Sequence, residues 1–230
     1  AVHHGTTSLA TVNTLPMESY LRSVVPSEMP SSFHPEALKA QAVAARTYAA
    51  RGSNGTAYYD ACDTTSCQVY RGQGMRNADG SVTSYERTST DTAVAATAGQ
   101  VLTYVFSDGV SRLATTMYSS SNGGYEAPGS AGHGYLAPHA DPYDGVSGNS
   151  RHLWSATLPV AALEARYGIA RVERVQITGR DGYGLWGGRV ISALVEGFAA
   201  DGTYAYATAS GNGLMAGHSW PSFSDGLSSN

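Results

Sequence analysis

Glu28 is the residue in this sequence whose setting first points to chemistry. It lies in VVPSEMPSSFHPEALKAQAVAARTYA, residues 24–49, between Pro26 and Pro30, with Met29 and Phe33 close by. Most of the chain is sparsely charged, so a carboxylate at a proline-bracketed corner stands out. A carboxyl crowded by apolar groups holds its proton to higher pH and can act as a general acid near neutrality. Arg46 follows in an alanine-rich segment, on a face shared with Lys39 and Val43. It reads either as a solvent-facing arginine or as a cation serving Glu28 or a substrate hydroxyl. Direct contact would lower the Glu28 pKa, so the functional reading works through substrate or water.

A second group of candidates lies in SSSNGG, residues 119–124. Ser119, Ser120, Ser121 and Asn122 offer hydroxyl and amide groups, and Gly123 allows close backbone approach. Such a loop suits sugar hydroxyls, and there is no GxSxG elbow to make a serine nucleophile. Tyr125, Tyr135, Tyr143 and Trp154 are candidates for stacking on sugar rings, although Trp154, inside LWSATL, reads as a core aromatic. His133, His139 and His152 lie near Asp141 and Asp144, at spacings that match no compact metal motif. Cys62 and Cys67, the only two cysteines, bracket CDTTSC. Their spacing fits a small disulfide loop in an exported protein, and half of a four-ligand zinc site is the alternative.

The elements that must position these residues can be read from pattern. Pro16 opens a helix with an apolar stripe of Met17, Tyr20, Leu21, Val24 and Val25, which Pro26 is expected to end. A second helix starts at Pro35, packs Leu38, Ala42, Ala45 and Ala49 on one face, and stops at Gly52. Strand signals follow. VLTYVF and VSRLATTMY flank Ser107-Asp108-Gly109, a hairpin signal. LWSATL, RVERVQIT, VISALVEG and YAYATA read as further strands, and PVAALEARYG as a short helix. The fold expectation is α+β, with N-terminal helices packed on mostly antiparallel strands around a substrate cleft. Residues 1–14 read as an N-terminal segment, 15–220 as one domain and 221–230 as a surface tail.

Composition excludes some classes. The 230 residues carry a net charge of -4 and no basic cluster, which argues against nucleic acid as a partner. No apolar run is long enough to span a membrane. No signal peptide is visible, and AVHH reads as a trimmed start from which one could have been removed.

Residues 24–49 closely resemble the signature of the SpoIID/LytB family, the stage II sporulation protein D and amidase-enhancer domain. DTTSCQVYRG, AVAATAGQVL, TTMYSSSNGGYEA and YLAPHADPYD continue the resemblance in family order. It implies a SpoIID-like fold and lytic transglycosylase activity on peptidoglycan outside the cell. Such enzymes cut between N-acetylmuramic acid and N-acetylglucosamine, favour strands without stem peptides, and leave 1,6-anhydro ends. The glutamate of the family's EMP motif, the catalytic acid/base, falls on Glu28, and the implicated arginine of its AARTY motif on Arg46. Ser119 to Gly123, Tyr125 and Asp141 become expected substrate contacts.

Some members bind zinc where this chain has CDTTSC. There a histidine precedes the second cysteine; here Ser66 does, which favours a Cys62–Cys67 disulfide and no cofactor. The family also includes amidase enhancers, so binding glycan to stimulate a cell-wall amidase is the alternative. A hydrolase using Asp141 or Asp144 as second carboxylate is another.

Overall fold

The computed structural model describes residues 2–4, 8–52, 59–129, 133–146 and 148–216. The expected tail lies outside them. The described residues fall into two compact units that divide between Ser119 and Ser120, within the span 15–220 that the sequence reads as one domain.

The first unit holds β1 (Val2–His4) and β2 (Ser8–Ala10), then α1 (Met17–Glu28) and α2 (Pro35–Arg51). The hairpin β3 (Gly74–Arg76) and β4 (Val82–Ser84) follows, then α3 (Thr88–Ala96), then the hairpin β5 (Thr103–Val105) and β6 (Ser111–Leu113). Each strand pair is antiparallel. The three helices pack together through Leu21, Val24 and Val25 of α1, Ala42 and Ala45 of α2, and Val94 of α3. The alanines of α2 let the neighbouring helices approach closely, as the sequence pattern requires. Pro35 occupies the first turn of α2, and Gly52, at φ 68°, ends it in a conformation that few other residues tolerate.

Pro26 does not end α1, contrary to expectation; the helix runs through it to Glu28. A proline removes one intrahelical hydrogen bond and crowds the preceding turn, at a cost of about 3 kcal/mol in a helix interior. Fully burying Leu21, Val24 and Val25 contributes about 1.5–3 kcal/mol each. Packing therefore outweighs the break. The Met29 N–H still reaches Val25 O at 3.0 Å, which closes the last turn. Glu28 is thus a helical residue in a final turn and not part of a free corner.

The second unit contains α4 (Val160–Tyr167), β7 (Arg171–Arg180), β8 (Val190–Phe198), β9 (Tyr204–Ala209) and α5 (Gly211–Met215). Its three strands form an antiparallel sheet in the order β7-β8-β9. Leu163, Ile169, Ala193, Val195, Ala209 and Leu214 make its core. Gly168, left-handed at φ 67°, caps α4. LWSATL is not a strand; it is irregular, and Trp154 is 58% exposed rather than in the core. Its alternation of apolar and polar residues meets no partner strand among the described residues. No helix among the described residues is long and apolar enough to cross a membrane.

Candidate functional site

Glu28 is half-buried at the end of α1. Its carboxylate oxygen Oε1 accepts a hydrogen bond from the Val69 N–H at 2.7 Å. Burial pushes its pKa up, and the Val69 bond only partly opposes that shift. Of the apolar neighbours in sequence, Pro26 and Met29 are partly buried. Pro30 is exposed, and Phe33 is half-exposed. Tyr20 of the same helix and Tyr118 from a distant segment are coupled to the carboxyl electrostatically. The phenols of Tyr20 and Tyr118 are both pushed up, first by burial and then by the negative charge of Glu28.

Gln68 ties this wall together. Its side chain is fully buried. The Tyr20 hydroxyl donates to Gln68 Oε1 at 3.1 Å, and Gln68 Nε2 donates to the Tyr118 hydroxyl at 3.0 Å and to Ala45 O at 3.2 Å. Tyr70 stacks on Tyr20 with ring centres 5.3 Å apart, and the Arg71 N–H reaches Ser23 Oγ at 3.1 Å. Residues 68–71 are therefore fastened to α1 and α2 at every step. They follow directly on Cys67, which is joined to Cys62 in a disulfide with Cα atoms 5.5 Å apart. The cross-linked turn thus presents the Val69 N–H to the carboxyl.

Arg46 is placed otherwise than the sequence suggests. It is 2% exposed, so it is not solvent-facing. Its Nε and Nη2 donate to the two oxygens of Glu18 at 2.9 and 2.7 Å, a bidentate pair. The same guanidinium donates to Gln100 O at 3.1 Å and to Val94 O at 3.3 Å. Arg46 therefore holds a glutamate, but that glutamate is Glu18, and the pair links α1 and α2 to the end of α3.

In the second unit the NGG turn is braced by carboxylates. Asp144 is buried and accepts from Ser121 Oγ at 2.8 Å and from the Asn122 N–H at 2.9 Å. It also pairs with His152 Nδ1 at 2.6 Å. Burial raises the Asp144 pKa, yet these hydrogen bonds outweigh it and hold the carboxyl below its usual value. Asp141 accepts from Asn122 Nδ2 and from the Tyr143 N–H, both at 3.0 Å. Ser121 and Asp141 thus shape the turn through contacts inside the protein. Ser119 and Ser120 lie on either side of the division between the units. Asn122, Gly123 and Tyr125 line a groove with His152, Trp154, Tyr183, Trp186 and Arg189.

Both thiols of the CDTTSC turn are consumed by the disulfide, and no group of three or more His, Cys, Asp or Glu side chains among the described residues is placed to hold a metal.

The family model described as "Stage II sporulation protein" matches residues 5–104. That span contains Glu28, Tyr20, Gln68 and the disulfide turn, but not Tyr118. Stage II sporulation protein D of Bacillus amyloliquefaciens is 32% identical over 209 residues, covering 83% of this chain and 56% of that protein. The chain belongs to the SpoIID family. The stage II sporulation protein D of Bacillus subtilis is also 32% identical, over 203 residues. The "Amidase enhancer" of Bacillus subtilis is 39% identical over 150 residues, covering 64% of this chain and 18% of that protein. The chain spans a little over half the length of the stage II sporulation protein D relatives.

Within this family member, pattern reading misses Gln68 and Val69 as parts of the Glu28 site. Their signal was present, since both directly follow the second cysteine of CDTTSC. It also misses Trp186 in DGYGLWGGR, residues 181–189, a tryptophan surrounded by glycines. The third helix, α3, is likewise invisible to a search for apolar stripes, because its residues are mainly threonine and alanine.

Proposed function

We propose that this chain is a peptidoglycan lytic transglycosylase that acts outside the cell on the glycan strand, with Glu28 as its general acid and base. The observation that carries this reading is the Glu28 carboxyl. It is half-buried, walled by tyrosines that keep their protons, and its pKa is raised by burial. A carboxylic acid in that state can donate a proton to the glycosidic oxygen between muramic acid and glucosamine, breaking the bond to C1. The muramic C6 hydroxyl then attacks C1, and the Glu28 carboxylate takes the hydroxyl proton. The 1,6-anhydro ring closes and Glu28 returns to its acid form. The nucleophile travels with the substrate, so one carboxylate suffices where a glycosidase needs two. Asp141 and Asp144 are each committed to several internal hydrogen bonds, which disfavours either as the second carboxylate of a hydrolase.

Digestion of denuded and peptide-bearing glycan strands, read by mass spectrometry, tests the proposal. Anhydro ends from the native protein, absent with Glu28→Gln, are expected, most abundantly from denuded strands. Reducing muramic ends, or full activity in Glu28→Gln, overturn it.

The similarity to a protein named amidase enhancer supports a second reading, in which the chain binds glycan and stimulates a cell-wall amidase. Stimulation of an amidase that survives Glu28→Gln, with no glycan cleavage by either protein, favours that role.

A further inference from the structure

The loop Asp181–Arg189 closes on its first residue. Asp181 Oδ1 accepts from the Tyr183 N–H at 3.0 Å and from the Arg189 N–H at 2.9 Å. Gly182, Gly184, Gly187 and Gly188 all take positive φ, and so does Trp186, at φ 56°. Such a backbone is unfavourable for a residue with a side chain. The side chain so placed is 79% exposed. Strain of this kind is a mark of functional sites, and an exposed tryptophan beside a groove offers a face for a ligand.

The loop is fastened to the NGG turn. Arg189 Nη2 donates to Asn122 O at 2.9 Å and to Tyr125 O at 2.5 Å. Tyr183 stacks on Tyr125, with ring centres 5.2 Å apart and planes 21° from parallel. Between them opens a groove of about 280 Å³ whose walls include Trp154, Trp186 and His152, near the lower end of ligand-binding clefts, roughly 300–1,000 Å³. His152 is held through Nδ1 by the buried Asp144. Its ring sits against Gly124 and Gly145; a Cβ at Gly145 would stand 2.9 Å from His152 Nε2. The imidazole is therefore fixed before any ligand arrives.

We infer that this groove is a saccharide-binding site, taking one pyranose ring of an N-acetylated glycan against Trp186, with His152 as a polar contact. The inference rests on the proposed function for the identity of the sugar. A pyranose has one flat apolar face and a rim of hydroxyls. It needs an aromatic platform beside a few fixed polar groups, and this groove offers both.

The test is calorimetric titration of the full chain carrying Glu28→Gln with N-acetylated chitotetraose, so that no turnover occurs. Saturable binding is expected, weakened about tenfold by Trp186→Ala, the equivalent of losing one aromatic stacking contact. Trp186→Phe keeps most of the affinity and, with an unchanged circular dichroism spectrum, excludes misfolding. Equal affinity in the Trp186→Ala protein, or no saturable binding by the parent, overturns the inference. Cleavage is scored separately. If the native protein cuts no glycan but binding still depends on Trp186, the groove assignment stands and the lytic reading fails. If cleavage needs Glu28 while binding ignores Trp186, only the groove assignment falls.

Discussion

Glu18→Gln tests whether Arg46 is chiefly a structural cation. Arg46 lies buried with its Nε and Nη2 both donating to Glu18, whose side chain is 40% exposed. The variant keeps the size of the side chain and one acceptor oxygen but removes the counter-charge. Removing one partner of a fully buried ion pair costs about 3–5 kcal/mol. Glu18 is reached by water, which screens the pair, and Arg46 keeps its carbonyl partners Gln100 O and Val94 O. A loss of about 2 kcal/mol is expected on that discounted basis, or a fall in Tm on the order of 6 °C. Arg46 lowers the Glu18 pKa through its hydrogen bond, below the usual 4.5. A carboxyl depressed by folding stabilises the protein fully above its unfolded value and loses that contribution as pH falls through the folded value. The gap between native protein and variant, measured by denaturant titration, is therefore full at neutral pH and closes in acid below 4.5. Cleavage by the residual folded variant, at a temperature well under its Tm, stays near native. A pH-independent gap, or lost cleavage in a protein of native stability, refutes the structural assignment and returns Arg46 to the chemistry.

Glu28→Gln has the opposite sign. Burial raises the Glu28 pKa, so its ionisation opposes folding as pH rises through the window above the unfolded value of 4.5. The variant gains Tm at neutral pH and shows no gain in acid, measurable by calorimetric scans across pH. Cys62→Ser with Cys67→Ser opens a loop of sequence separation 5, costing about 2 kcal/mol by loop entropy. The Val69 N–H is less firmly held against Glu28, so cleavage falls as well; assays with and without a reductant on the native protein show the same direction. Gly188→Ala places a methyl group on Asp181 Oδ1 at φ 85°. It weakens chitotetraose binding in calorimetric titration at least as much as Trp186→Ala does, while the β7–β8–β9 sheet keeps its circular dichroism signal.

Local signals were the legible part of this molecule. Pro35 and Gly52 mark both ends of α2, and Pro159 and Gly168 bracket α4. YAYATA matches β9 residue for residue, and the Ser107-Asp108-Gly109 hairpin joins β5 to β6. These features depend on caps, turns and side-chain periods that act within a few residues of one another. The specific blocks around Glu28 likewise announce the family, because they are strings of residue types in fixed order.

What tertiary structure decided was the surroundings of each functional group. Whether a carboxyl holds its proton depends on what excludes water from it. For Glu28 burial raises the pKa, and the N–H of Val69, 41 positions away, partly opposes it. The sequence credits Pro26 with breaking a helix, but packing of Leu21, Val24 and Val25 carries α1 through it. Arg46 shares a helical face with Lys39 in any helix drawn from this sequence, yet α3 and Glu18 arrive from outside that helix to bury it. The pattern of LWSATL places Trp154 in a core, yet it is exposed and lies outside every described strand. Burial and partner choice are sums over contacts between distant segments, so they are set only when the chain has closed on itself.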